Sequence, residues 1–260
     1  LIGVLIIIVP KHGVDSYAAS GVWSLEGGVD FIIGAGLQCL SYGFHDAVLT
    51  DRGFLCDAKK MLKAFVVAGL LGFVAIVLFS LVGVDLFLDG TARSGSDAPV
   101  IVARSLGIVA FFFVAVIMIS TAGSTLDSTF TSLGKLCSRD LPGILGVKPE
   151  NVRMIGIAVM IIFGIVGNLP MIMGASIITA TTISGTMIMG LGPIFLMHGV
   201  VKPTNTGFML AFWIGMILGI WDVVDPSSLS FLNIGEGKYA NFLGVNLWGA
   251  IACWIAYIVP

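Results

Sequence analysis

The densest chemistry in this sequence lies in Ile119-Ser-Thr-Ala-Gly-Ser-Thr-Leu-Asp-Ser-Thr-Phe-Thr-Ser132. At helical spacing Ser120, Ser124, Asp127 and Thr131 share one face, and Thr121, Thr125 and Ser128 lie beside it. Hydroxyl and carbonyl oxygens suit a hard cation, and a nearby carboxylate adds charge. A carboxylate on a membrane helix is costly and marks a functional position by default. The same residues also make a small-residue packing face whose hydroxyls bond back to their own helix or across to a neighbour. Spacing alone leaves both readings open, and Asp127 is the weakest part of the first because it falls close to a basic loop.

A second polar stretch is Phe31-Ile-Ile-Gly-Ala-Gly-Leu-Gln-Cys-Leu-Ser-Tyr-Gly-Phe-His-Asp46. Gly34, Gly36 and Gly43 weaken a helix, and Gln38, Ser41, Tyr42 and His45 place polar groups in the same span. Interrupted membrane helices of this kind form transporter substrate sites, which makes Gly36, Gln38 and Tyr42 candidate substrate contacts. The alternative is a tightly packed helix whose glycines let neighbours approach. His45-Asp46 reads as an interfacial capping pair. A third stretch, 174–192, carries Ser176, Thr179, Thr181, Thr182, Ser184 and Thr186 between Pro170 and Pro193. It reads equally as the lining of a polar pathway and as a packing helix.

The elements that must position these residues are membrane helices. Hydrophobic residues make up 57% of the 260-residue chain and charged residues 11%, against roughly 25% charged in a soluble domain. Mean hydropathy is +1.06. The apolar residues come in blocks long enough to cross about 30 Å of hydrocarbon, and they lack the ten-residue alternation of barrel strands. Eight segments follow: 1–9, 29–47, 62–88, 100–134, 151–168, 171–199, 206–221 and 243–259. We expect an all-α, polytopic membrane helix bundle, one transmembrane domain over 1–260, lying in the lipid bilayer of a plasma membrane. The chain starts inside one apolar run and stops just after another, so a fragment of a longer polypeptide is expected. Net charge is −2, which points away from nucleic acid. Cys39, Cys56, Cys137 and Cys253 are scattered without CxxC spacing and read as helix-packing residues.

Loop charge alternates. Arg52, Lys59, Lys60 and Lys63 fill one loop. Asp85, Asp89 and Asp97 outweigh Arg93 in the next. Lys135, Arg139, Lys148 and Arg153 follow, then an uncharged turn near Asn168. Lys202 comes next, and then Asp222, Asp225 and Glu236 against Lys238. The basic loops should be cytoplasmic. The 11–29 loop, with Asp15 and Glu26, should then be outside, and Arg104 should lie near the outer face.

In this order the segments resemble the sodium:solute symporter family. Gly34-Ala-Gly-Leu-Gln-Cys-Leu-Ser-Tyr-Gly-Phe-His-Asp-Ala-Val-Leu-Thr-Asp-Arg52 is similar to that family's glycine-rich helix, although Phe44-His45 stands where a Gln-Pro-His is usual. Ser120-Thr-Ala-Gly-Ser-Thr-Leu-Asp-Ser128, running on to Arg139-Asp-Leu141, is similar to its hydroxyl-rich helix and closing acidic turn. Leu191-Gly-Pro-Ile-Phe-Leu196 and Lys202-Pro-Thr-Asn-Thr-Gly207 are similar to its Gly-Pro helix end and connector. The resemblance covers almost the whole chain. It implies a partial five-plus-five inverted-repeat fold, with this chain as the second half of a transporter that couples sodium ion to a small organic solute. It further implies a sodium site using the hydroxyls of Ser120 and Thr121 and the carbonyl of Ile117. Ser124 would serve a second sodium, although Gly123 stands where members with that site carry a serine. Asp127 inherits no role. The remaining ligands and half of the substrate site would belong to the missing N-terminal half.

Two other classes bear on the reading. Symporter-like membrane domains also act as input modules of sensor proteins, and a kinase-like domain further along the chain would decide for that. An intramembrane enzyme is disfavoured because HExxH, GxSxG and paired intramembrane aspartates are absent from the sequence, so no catalytic residue is expected.

Overall fold

The computed structural model describes residues 2–22, 24–46, 48–50, 56–90, 98–148, 150–172 and 177–260. Arg52, Arg93, Asp97, Gly174 and Ser176, all used in the sequence reading, lie outside them. The described chain is all-helical, with no strand. In chain order the first helices are α1 (Ile2–His12), α2 (Val14–Ala19), α3 (Val29–His45), α4 (Ala58–Leu88), α5 (Ala98–Ser105), α6 (Ile108–Lys135) and α7 (Leu141–Ile144). There follow α8 (Val152–Val166), α9 (Leu169–Ile172), α10 (Ile177–Ile188), α11 (Leu191–Leu196), α12 (Asn205–Val224) and α13 (Ala240–Ile258). Four described helices are long and apolar enough to cross a membrane: Ala58–Leu88, Ile108–Ile144, Asn205–Val224 and Ala240–Ile258. At about 1.5 Å per residue, the 31 residues of α4 exceed the roughly 30 Å of hydrocarbon.

Two apolar runs break where the backbone demands it. The 100–134 run is two helices, because Gly107 takes φ 104° between α5 and α6, a conformation that favours glycine. The 171–199 run breaks after Ile188. Pro193 has no N–H for the Met189 carbonyl, and the Gly192 N–H takes that carbonyl instead at 3.1 Å.

The chain packs as two compact units. One comprises Leu1–Gly21 and Arg52–Gly167. Its core joins α1 (Leu5, Ile8), α4 (Val82, Leu86) and α5 (Ala98, Val102). The Asp57 carboxylate caps α4 by accepting from the Lys59 and Lys60 amides, as an N-cap should. The α6 helix continues through a π turn, Leu136–Asp140, into α7 and packs on α8, where Gly134 lies against Gly156. At one end of this unit the Lys11–Tyr17 segment meets Asp85 and Asp89, two loops that the charge alternation assigns to the same outer side.

The other unit comprises Val22–Asp51 and Asn168–Pro260. Thr204 caps α12 by accepting from the Gly207 amide at 3.0 Å. Gly207, Ala211, Gly215 and Gly219 recur every fourth residue of α12 and are all buried. This small stripe brings α12 onto α10 and α13 closely enough for side chains to be excluded. A Cβ on Gly190 would collide with the Ala211 carbonyl oxygen. The core is Met189, Ala211, Cys253 and Tyr257. Helices α3 and α13 run parallel: Asp30 meets Tyr239, Gly34 meets Phe242 and Gln38 meets Asn246.

Candidate functional site

The hydroxyl-rich face predicted for an ion lies on α6, and Ile117, Ser120, Thr121 and Ser124 are all exposed. Its threonine hydroxyls follow one rule. Thr121 donates to the Ile117 carbonyl at 2.8 Å, Thr125 to Thr121 at 3.1 Å, Thr129 to Thr125 at 2.9 Å and Thr131 to Asp127 at 2.8 Å. Each bond reaches back one turn. A helix wall of this kind needs no partner to satisfy its polar groups, which is the local option open to Ser and Thr in membrane helices. It also places the Thr121 hydroxyl oxygen and the Ile117 carbonyl oxygen side by side. A cation contacting both requires only that the hydroxyl proton rotate away, since a hydroxyl is both donor and acceptor.

The three substrate candidates on α3 do not converge. Gly36 and Gln38 are 200° apart on a helical wheel at 100° per residue. Gly36 is exposed and has nothing within 4 Å of where a Cβ would stand. Tyr42 is exposed, with its ring edge-on to His45 at 4.7 Å. Gln38 is buried on the inner face with Asp30, Gly34 and Ser41. Its Nε2 lies 2.7 Å from the Thr182 carbonyl, 3.0 Å from Asn246 Oδ1 and 3.1 Å from the Thr186 hydroxyl. Three acceptors surround a group with two protons, so both Nε2 protons are committed. Gly185 supports it from α10, because a Cβ there would strike Gln38 Oε1.

Of the polar residues in the 174–192 stretch, Thr182 and Thr186 enter this network, and the side chain of Thr179 is outside the description. The sequence reading missed Asn246, a lone amide in the apolar run 243–259. Its Nδ2 donates to the Phe242 carbonyl at 2.8 Å while Oδ1 faces Gln38 and Thr186. The available signal was the residue type itself: an amide cannot satisfy both its ends on its own helix. Asp30 was missed likewise. It is 1% exposed and accepts from the Phe31 amide at 2.8 Å and the Tyr239 amide at 3.2 Å.

Comparison with protein-family models, curated proteins and solved structures finds no match.

The other concentration of polar groups joins the ends of α1, α2 and α4. His12 Nε2 is 3.4 Å from Asp85 Oδ1 and 3.0 Å from Asp89 Oδ1. Tyr17 donates to Asp85 Oδ1 at 3.2 Å, and Lys11 pairs with Asp89 Oδ2. The hydrogen bond from Lys11 holds the Asp89 carboxyl below its ordinary range, and Asp89 in turn raises Lys11. Burial, and then the Asp85 charge, push the Tyr17 phenol up to about 12. The sequence reading used Asp85 and Asp89 only as loop charge.

Proposed function

We propose that this chain forms part of a sodium-coupled symporter for a small organic solute, with several passes through a plasma membrane. The observation that carries the reading is α6: a helix long and apolar enough to span, with an exposed hydroxyl face in which Thr121 Oγ1 and Ile117 O sit 2.8 Å apart. Two such oxygens are the ligands a hard cation prefers. Sodium would bind at Ile117, Ser120 and Thr121, and Ser124 would contribute to a second ion. Coupling requires that sodium discriminate between transporter states. The solute would lie along α3, at the exposed Tyr42. Gly36 faces a different direction, and Gln38 would join only by giving up bonds to Thr186 or Asn246.

The test is uptake by the full-length protein in proteoliposomes under an inward sodium gradient, with choline as the control cation. Ser120→Ala/Thr121→Ala should raise the sodium concentration needed for half-maximal uptake. Unchanged sodium dependence in that variant removes the ion site, and uptake indifferent to sodium removes the symport reading.

A further inference from the structure

We propose that His12, Asp85 and Asp89 form a binding site for a divalent first-row transition cation of the zinc class, which ties the α1–α2 turn to the end of α4. One imidazole nitrogen and two carboxylate oxygens, one from each residue, lie within 4.8 Å of one another. Bonds of about 2.0–2.1 Å from zinc to His nitrogen and carboxylate oxygen give tetrahedral ligand–ligand edges of about 3.3 Å. The two edges from His12 Nε2 are 3.0 Å and 3.4 Å, close to that value, and the edge between the carboxylates is within 4.8 Å.

Further observations bear on the site. The Asp85 side chain is 4% exposed and the Lys11 ammonium stands 4.0 Å from its Oδ1, so a cation in direct contact would compensate the buried charge more closely. His12 Nε2 is buried beside both carboxylates. An imidazole nitrogen is a common ligand for zinc. The Lys11 ammonium belongs to the same cluster, 4.0 Å from Asp85 Oδ1 and paired with Asp89. It holds Asp89 Oδ2 and leaves Oδ1 to face His12, the arrangement in which an outer partner orients a ligating carboxylate. The Tyr17 hydroxyl, 3.2 Å from Asp85 Oδ1, stands where it can orient that carboxylate or a water in the fourth position. The mixed nitrogen and oxygen donors suit zinc better than calcium, which takes six to eight oxygens.

The proposal is independent of the symport reading, and none of its readouts uses sodium or a solute. The full-length protein in nanodiscs, stripped by a chelator, is titrated with Zn²⁺ against a chromogenic competitor. We expect one Zn²⁺ per chain at this site. His12→Ala or Asp85→Asn should weaken it by about 100-fold. His45→Ala and His198→Ala should leave it unchanged. Because a variant can fail to fold, the wild type is also loaded with Co²⁺, where intense visible absorption of a tetrahedral nitrogen–oxygen site is expected. No stoichiometric zinc uptake by the wild type, uptake indifferent to His12→Ala, or an octahedral Co²⁺ spectrum overturns the proposal.

Discussion

Helices α6 and α3 both carry polar side chains among apolar ones, yet they satisfy those side chains in opposite ways. On α6 the threonines donate to carbonyls one turn back, and the face stays exposed. On α3 the Gln38 amide reaches α10 and α13, and the face is buried. The difference follows from donor geometry. A β-hydroxyl reaches its own backbone, whereas an amide carries two donors and two acceptor sites that one helix cannot supply. Polar residues in a membrane helix therefore divide into those that leave a face available for a ligand and those that bind the bundle together.

The comparison can be broken in several places, and the largest effect is expected where helices touch backbone to backbone. Gly190→Leu pushes a side chain into the Ala211 carbonyl, and overpacking of that kind should cost about 3 kcal/mol. Denaturant titration in detergent would read it, since Trp213, Trp221, Trp248 and Trp254 all lie in the same unit. Asn246→Leu should cost about 1–2 kcal/mol, because Gln38 then loses a buried acceptor. Adding Gln38→Met to that variant should cost less than the sum of the two singles. Strict additivity in this double-mutant cycle would dissolve the network as an energetic unit. Thr186→Val should cost roughly 0.6 kcal/mol, the average for a polar contact between membrane helices. Smallest of all, Thr125→Val on α6 should change stability by less than about 0.5 kcal/mol, followed by circular dichroism on heating. A cost there equal to that of Thr186→Val would erase the distinction between the two helices.

Much of this architecture was legible beforehand. The apolar runs 62–88, 206–221 and 243–259 correspond to α4, α12 and α13, because a backbone in hydrocarbon must satisfy itself within its own helix. The breaks were less legible. Leu106-Gly107 and Met189-Gly190 lie inside continuous apolar stretches, and hydropathy is blind to a single φ angle or a missing N–H. For the polar residues, periodicity found the α6 face of Ser120, Ser124, Asp127 and Thr131 with Thr121 beside it, whereas Ile117 entered only through the family resemblance. Gly36, Gln38 and Tyr42 were grouped because they share a glycine-rich polar segment, although a helix turns Gly36 away from Gln38.

What the sequence determined by itself is the solvent of this protein, the position of most of its spans and the chemistry carried by each. Those properties are local: hydropathy, helical period and residue type are complete within about twenty consecutive residues. Only the tertiary structure decided which polar groups are spent. Gln38 and Asn246 are 208 residues apart, and His12 and Asp85 are 73 apart in a chain numbered from Leu1. Their separations depend on where α3, α13, α1 and α4 pack, which is set by small-residue stripes and buried apolar faces rather than by the polar residues themselves.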